Sequence, residues 1–156
     1  MTLPFGSLRM YRKILVPTDG TERSLDAIRQ AVDLAKSLGA ALLVLHVRSP
    51  INTMHHVEGG VLSRLQRTEV LAEIEAEERA ILESAGKLAA DAGVEHEVAF
   101  VRGYSVYETI LRVAREENCD LIVMSSHGRR GLAGLLLGSE TQKLLTHSDK
   151  PVLIVR

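Results

Sequence analysis

A chain of 156 residues makes one ordinary domain, long enough to bury a sizeable core without disulfides or metals. Apolar residues at 46%, charged residues at 25% and a formal charge of −1 describe a soluble globular protein and leave no electrostatic footprint for nucleic acid or an anionic membrane. The one cysteine, Cys119, excludes an internal disulfide and a Cys-based zinc site, and it fits a reducing, cytoplasmic setting. The opening MTLPFGSLRM lacks the apolar core of a secretory signal, and no stretch approaches the roughly 18 apolar residues of a membrane span. Residues 1–9 read as a loose extension, with the structural pattern beginning at Met10.

The first strand is expected from Arg12 to Pro17, a β-rich run that leads into the turn Asp19-Gly20-Thr21 with its helix-capping side chains. Leu25, Ile28, Val32, Ala35 and Leu38 recur at helical spacing and Gly39 stops them, which predicts a helix over Glu22 to Leu38. Strand two, Ala41 to Val47, follows after two residues. Joined so closely, strand, helix and strand form a right-handed parallel unit that puts Asp19 at the carboxyl edge of the sheet.

Residues 48–63 combine Pro50, Gly59, Gly60 and the pair His55-His56, and read as a long surface loop. Two adjacent histidines without a third ligand do not make a metal site. A second helix runs from Leu65 to Ala92, with Leu71, Ile74, Ile81, Ala85 and Leu88 on one face and an acidic, solvated face opposite. Glu95 to Val101 alternates as strand three, and Val106 to Asn118 reads as helix three. Tyr104 and Tyr107 stand at its start as packing caps or stacking surfaces.

Strand four begins at Leu121 and ends at Met124 or Ser125, short and wholly apolar as buried parallel strands are. It delivers the loop Ser125 to Leu137, which carries Gly128, Gly131 and Gly134 with Arg129 and Arg130. Gly138-Ser139 then opens helix four, Ser139 to Thr146, and Pro151 to Val155 forms strand five. Glycines allow close backbone approach, a helix start presents unpaired N–H groups, and arginines add positive charge, so the loop suits a phosphate-like anion. On composition alone it could equally only turn the chain. Five strands alternating with four helices make an open, doubly wound parallel α/β sheet.

The spacing Ser125-x2-Gly128-x9-Gly138-Ser139 resembles the nucleotide loop of the universal stress protein family, whose pattern is Gly-x2-Gly-x9-Gly followed by Ser or Thr. Here Ser125 replaces the first glycine. The likeness runs from Met10 to Arg156 through Ile14-Leu15-Val16-Pro17-Thr18-Asp19, Leu45-His46-Val47, Gly103, Asp120 to Met124, Ser126-His127-Gly128 and Lys150 to Val155. It implies the adenine nucleotide alpha hydrolase-like fold, with strand order 3-2-1-4-5 and Asp19 facing Gly128 across the topological switch point. It also implies a small cytoplasmic stress or signalling protein that binds ATP, with Mg2+ carried by the phosphates, or AMP or ADP in its place. Pro17, Thr18 and Asp19 would line one wall, Leu42 would meet adenine, and Met124 and Ser125 would form the other wall. Gly128, Arg129, Arg130, Gly138, Ser139, Glu140 and Thr141 would surround the phosphates. The family resemblance further implies a homodimer through residues 152–155.

Two other classes stay open at this point. One is a homodimeric interaction module of the same fold without nucleotide. The other is an enzyme, against which stand the missing Walker spacing and Lys-Ser/Thr pair, and a strand-three end that reads Val101-Arg102-Gly103 where a phosphoacceptor domain needs aspartate. Only Asp19 and His127 are plausible bases, so at most very slow ATP hydrolysis is expected.

Overall fold

The computed structural model describes residues 10–49, 64–127 and 137–156, with the side chains of 64–66 excepted. The extension 1–9, the His55-His56 loop and the loop residues Gly128, Arg129 and Arg130 lie outside the described residues. In order, the elements are β1 (Lys13–Pro17), α1 (Glu22–Leu38), β2 (Ala41–Arg48), α2 (Arg64–Asp91), β3 (His96–Arg102), α3 (Val106–Glu116), β4 (Leu121–Ser125), α4 (Ser139–His147) and β5 (Val152–Val155). All pairings are parallel and the order is β3-β2-β1-β4-β5, as expected from the sequence.

Period-two alternation sends the central strands' side chains to two separate cores. Ile14, Val16, Leu42, Val44, Leu121 and Val123 pack with α1 residues Ala27, Ile28, Ala31 and Ala35 and with Ala85 and Ala89 of α2. Leu15, Leu43, Leu45, Val47 and Ile122 pack on the other face against Ile110, Val113 and Ala114 of α3 and Leu144 of α4. Burying both faces of β1, β2 and β4 is what makes these strands apolar throughout. Among the described residues, no helix is long and apolar enough to cross a membrane.

Three local departures from the sequence expectation have physical causes. Helix α3 stops at Glu116, because Asn118 adopts φ 55° and lets the Cys119 amide bond back to the Ala114 carbonyl at 2.8 Å, a left-handed terminator in a role usually filled by glycine. Leu71 is 47% exposed, so the buried stripe of α2 begins at Ile74. Glu78, by contrast, lies inside that stripe and is buried.

Candidate functional site

Two central strands, β1 and β4, point their carboxyl ends at the same edge. Strand β1 pairs with β2 as far as Pro17↔Leu45, but its register with β4 runs only to Leu15↔Ile122. The last residues of β1 and β4 therefore part, which opens a crevice at the topological switch point. Pro17 and Met124 are half-buried on either side of it.

On the β1 side, the Thr18 amide continues the ladder by donating to the Leu45 carbonyl at 2.9 Å. Its side chain is buried, and its Oγ1 meets Ser24 Oγ at 3.0 Å and accepts from the Gly20 amide at 3.2 Å. Asp19 Oδ1 accepts from the Thr21 amide at 3.1 Å and from the Thr21 hydroxyl at 2.6 Å. Gly20, at φ 80°, makes the reversal that only glycine makes cheaply. The cap of α1 is accordingly Thr21, whose Oγ1 accepts from the Ser24 amide at 3.3 Å. Asp19 orders the turn rather than capping the helix.

On the β4 side, Ser125 is still strand, and Asn118 is the only non-glycine of positive φ among the described residues. The loss of the first loop glycine thus carries no backbone penalty. The Ser125 hydroxyl donates to the His127 carbonyl at 3.0 Å, and its own carbonyl accepts from Thr141 Oγ1 at 3.1 Å. Gly138 is the N-cap of α4, and no side chain caps it. Ser139, at the first helical position, is exposed. A helix start with no side-chain cap among the described residues, and with an exposed serine at its first position, is suited to oxyanions.

His127 adds a second observation at this place. Its ring is buried, Nδ1 lies 3.1 Å from Ser126 Oγ, and Nε2 is buried without a hydrogen-bond partner among the described residues. When Nδ1 accepts from the serine hydroxyl, Nε2 carries the hydrogen and lacks an acceptor. Buried polar atoms are rarely left so. A bound oxyanion would supply one.

The residues 10–156 match the family model described as the universal stress protein family. The chain belongs to the universal stress protein family. Universal stress protein YxiE of Bacillus subtilis is 39% identical over 149 residues, covering 94% of this chain and all of that protein. Among solved structures, MJ0577, from Methanocaldococcus jannaschii, superposes with a TM-score of 0.73 at 29% identity, covering 94% and 96% of the two chains. A universal stress protein in complex with cAMP superposes at 0.68 with 28% identity, covering 94% and 97%.

Against this family frame, not every residue expected at the site is at its edge. Leu42 is the second residue of β2, paired with Ile14 and fully buried. That register puts it about 10 Å from the level of Pro17, at 3.3 Å per residue, toward the amino ends of the strands. It lines a small cavity with Lys13 and His96 there. The β2 residues beyond the Pro17↔Leu45 pair are His46, Val47 and Arg48. Glu140 is close to the site but committed elsewhere: Oε2 accepts from the Tyr107 amide at 3.0 Å and Oε1 from Lys143 at 3.1 Å. It caps α3, whose own N-cap Ser105 makes no side-chain bond. Tyr104 is 88% exposed, and Tyr107 packs on the His147 ring at 5.2 Å.

Proposed function

We propose that this universal stress protein binds an adenine nucleotide in the crevice between the ends of β1 and β4, and acts in the cytoplasm through nucleotide-dependent conformation or association. The observation that carries the reading is the start of α4, with no side-chain cap among the described residues, beside the buried His127 Nε2, which lacks a partner there and donates when Nδ1 accepts from Ser126. The ligand is ATP, its Mg2+ carried by the phosphates, with AMP or ADP as the other candidates. The relative crystallised with cAMP supports an adenine ligand for the fold at this level of identity.

Chemistry assigns the parts. The Asp19 carboxylate suits ribose hydroxyls, which donate, rather than phosphates, whose charge it would repel. Pro17, Met124 and the Thr18 backbone supply the walls, and Val47 replaces Leu42 as the β2 residue at the right height. Ser125 and Thr141 hold β4 and α4 together, while Gly138, Ser139, His127 and, with their charge, Arg129 and Arg130 meet the phosphates beside Gly128. Turnover needs a base aimed at a water. Asp19 Oδ1 is engaged by Thr21 and His127 Nδ1 by Ser126, so hydrolysis should be absent or far below about one per second.

Denaturing the purified protein and identifying any released nucleotide, with calorimetric titration of the emptied protein by Mg-ATP and AMP, tests the reading. Nucleotide near one equivalent or saturable binding supports it. No binding of either would leave a dimeric interaction module of the same fold.

A further inference from the structure

A polar cluster that the nucleotide reading leaves unused lies on the α2 side of the sheet, next to the β1–α1 turn. His46 is 7% exposed, and its Nδ1 is 2.8 Å from the Thr18 carbonyl. A carbonyl can only accept, so Nδ1 carries a hydrogen. Nε2 of the same ring faces Glu78 Oε1 at 3.7 Å. Glu78, 9% exposed in the middle of α2, is gripped by Arg48 through Nε at 2.6 Å and through Nη2. Phe100 of β3 closes the side, with its ring stacked on His46 at 6.1 Å and the Arg48 guanidinium 5.0 Å from its centroid. At 3.7 Å the His46–Glu78 approach is not a hydrogen bond, so the line from α2 to Thr18 runs from Glu78 to Arg48, from Arg48 over the Phe100 ring, from Phe100 to His46, and from His46 Nδ1 to the Thr18 carbonyl.

Stability alone does not call for this arrangement. A buried ion pair adds little over apolar side chains of similar volume, while it does specify one geometry. Val44, Ile74 and Ile81 show that the same face is otherwise packed with hydrocarbon. The polar exception occurs where the sheet meets the turn that carries Asp19.

We propose that His46 is a positioning residue for the turn from Thr18 to Thr21, held in place from α2 by Glu78 and Arg48, so that occupancy of the turn and the packing of α2 are coupled. The inference deepens the nucleotide reading and, in its coupling, rests on it. Thermodynamic linkage makes the coupling reciprocal: whatever fixes α2 tightens nucleotide binding, and nucleotide steadies α2.

The test uses His46→Leu, Glu78→Gln and His46→Asn, the last of which keeps a side-chain N–H able to reach the Thr18 carbonyl. Without ligand, hydrogen exchange is followed at the Gly20 and Thr21 amides, which bond to Thr18 Oγ1 and Asp19 Oδ1. Ile122 and Ser126, bonded to the Pro151 and Val155 carbonyls, serve as internal reference. In His46→Leu the turn amides should exchange about tenfold faster relative to the reference pair, within the range of ordinary site coupling. Glu78→Gln should move them in the same direction, and His46→Asn should return them toward wild type. AMP affinity should fall about five- to tenfold in His46→Leu and Glu78→Gln and recover in His46→Asn. Equal acceleration at all four amides would mean plain destabilisation and overturn the proposal, as would an unchanged turn or a failure of His46→Asn to restore it. If wild type binds neither Mg-ATP nor AMP, the nucleotide reading and the coupling fall together, while the exchange ratios still decide whether His46 positions the turn. Should His46→Leu not fold, the same ratios in Glu78→Gln decide it.

Discussion

The Gly138 amide donates to the Ser126 carbonyl at 2.7 Å, pinning the start of α4 to the residue that leaves β4. This bond consumes the amide of the N-cap itself. Gly138 has φ −69° and ψ 157°, a conformation any residue adopts, so glycine is not needed there for the backbone. Glycine serves as an N-cap, and space for a ligand would be a second reason for it. Gly138→Val should cost about 1 kcal/mol of stability, the ordinary penalty of a poor N-cap. It should also abolish the rise in Tm that saturating Mg-ATP gives the wild type. Equal rises in both proteins would remove Gly138 from the site.

Glu140 should behave as a helix cap and not as a ligand. With its carboxylate accepting from the Tyr107 amide, Glu140→Ala should lower stability by about 1 kcal/mol. Nucleotide affinity should change less than about twofold, because both carboxylate oxygens already accept from protein donors. A selective loss of affinity with unchanged Tm would return Glu140 to the phosphate site.

Strand β5 should pair with a second copy of the chain. Among the described residues it is bonded to β4 alone, and its residues are apolar with Leu153 43% exposed. An apolar edge strand of this kind invites pairing unless it is covered. Sedimentation of the wild type at micromolar concentration should give a dimer, and Leu153→Lys should shift it to monomer without loss of fold. A monomeric wild type would reject the interface.

Cys119 should lend alkali sensitivity. Burial pushes its thiol from 9.0 up to about 11, because the thiolate would lose its hydration in the core. A raised pKa in the folded state means stability is fully present below the unfolded-state value and is lost as pH rises toward the folded one, here between about pH 9 and 11. Chemical denaturation across that window should show a steeper loss in wild type than in Cys119→Ala. Parallel curves would show that the thiol does not titrate on unfolding.

Much of this molecule is written in short-range patterns. Helical spacing from Leu25 to Leu38, the Thr21 and Gly39 caps, the apolar strands and the glycine loop before Ser139 fix element types and their order. Strand–helix alternation then fixes a parallel sheet, because right-handed crossovers allow few other arrangements.

What sequence pattern could not convey was which end of a strand reaches the site and which distant group claims a side chain. Leu42 and Val47 read alike in an apolar strand, and only the Pro17↔Leu45 register sets Leu42 toward the amino ends of the strands and Val47 toward the carboxyl ends. The family resemblance sets Glu140 among the phosphate residues, yet its partner amide is 33 residues away on another helix. His46 likewise reads as one more strand residue until folding brings Thr18 and Glu78 to its two nitrogens. Secondary structure follows from neighbours along the chain, whereas these assignments depend on contacts that exist only after the sheet has paired and the helices have packed. Tertiary structure alone decides them.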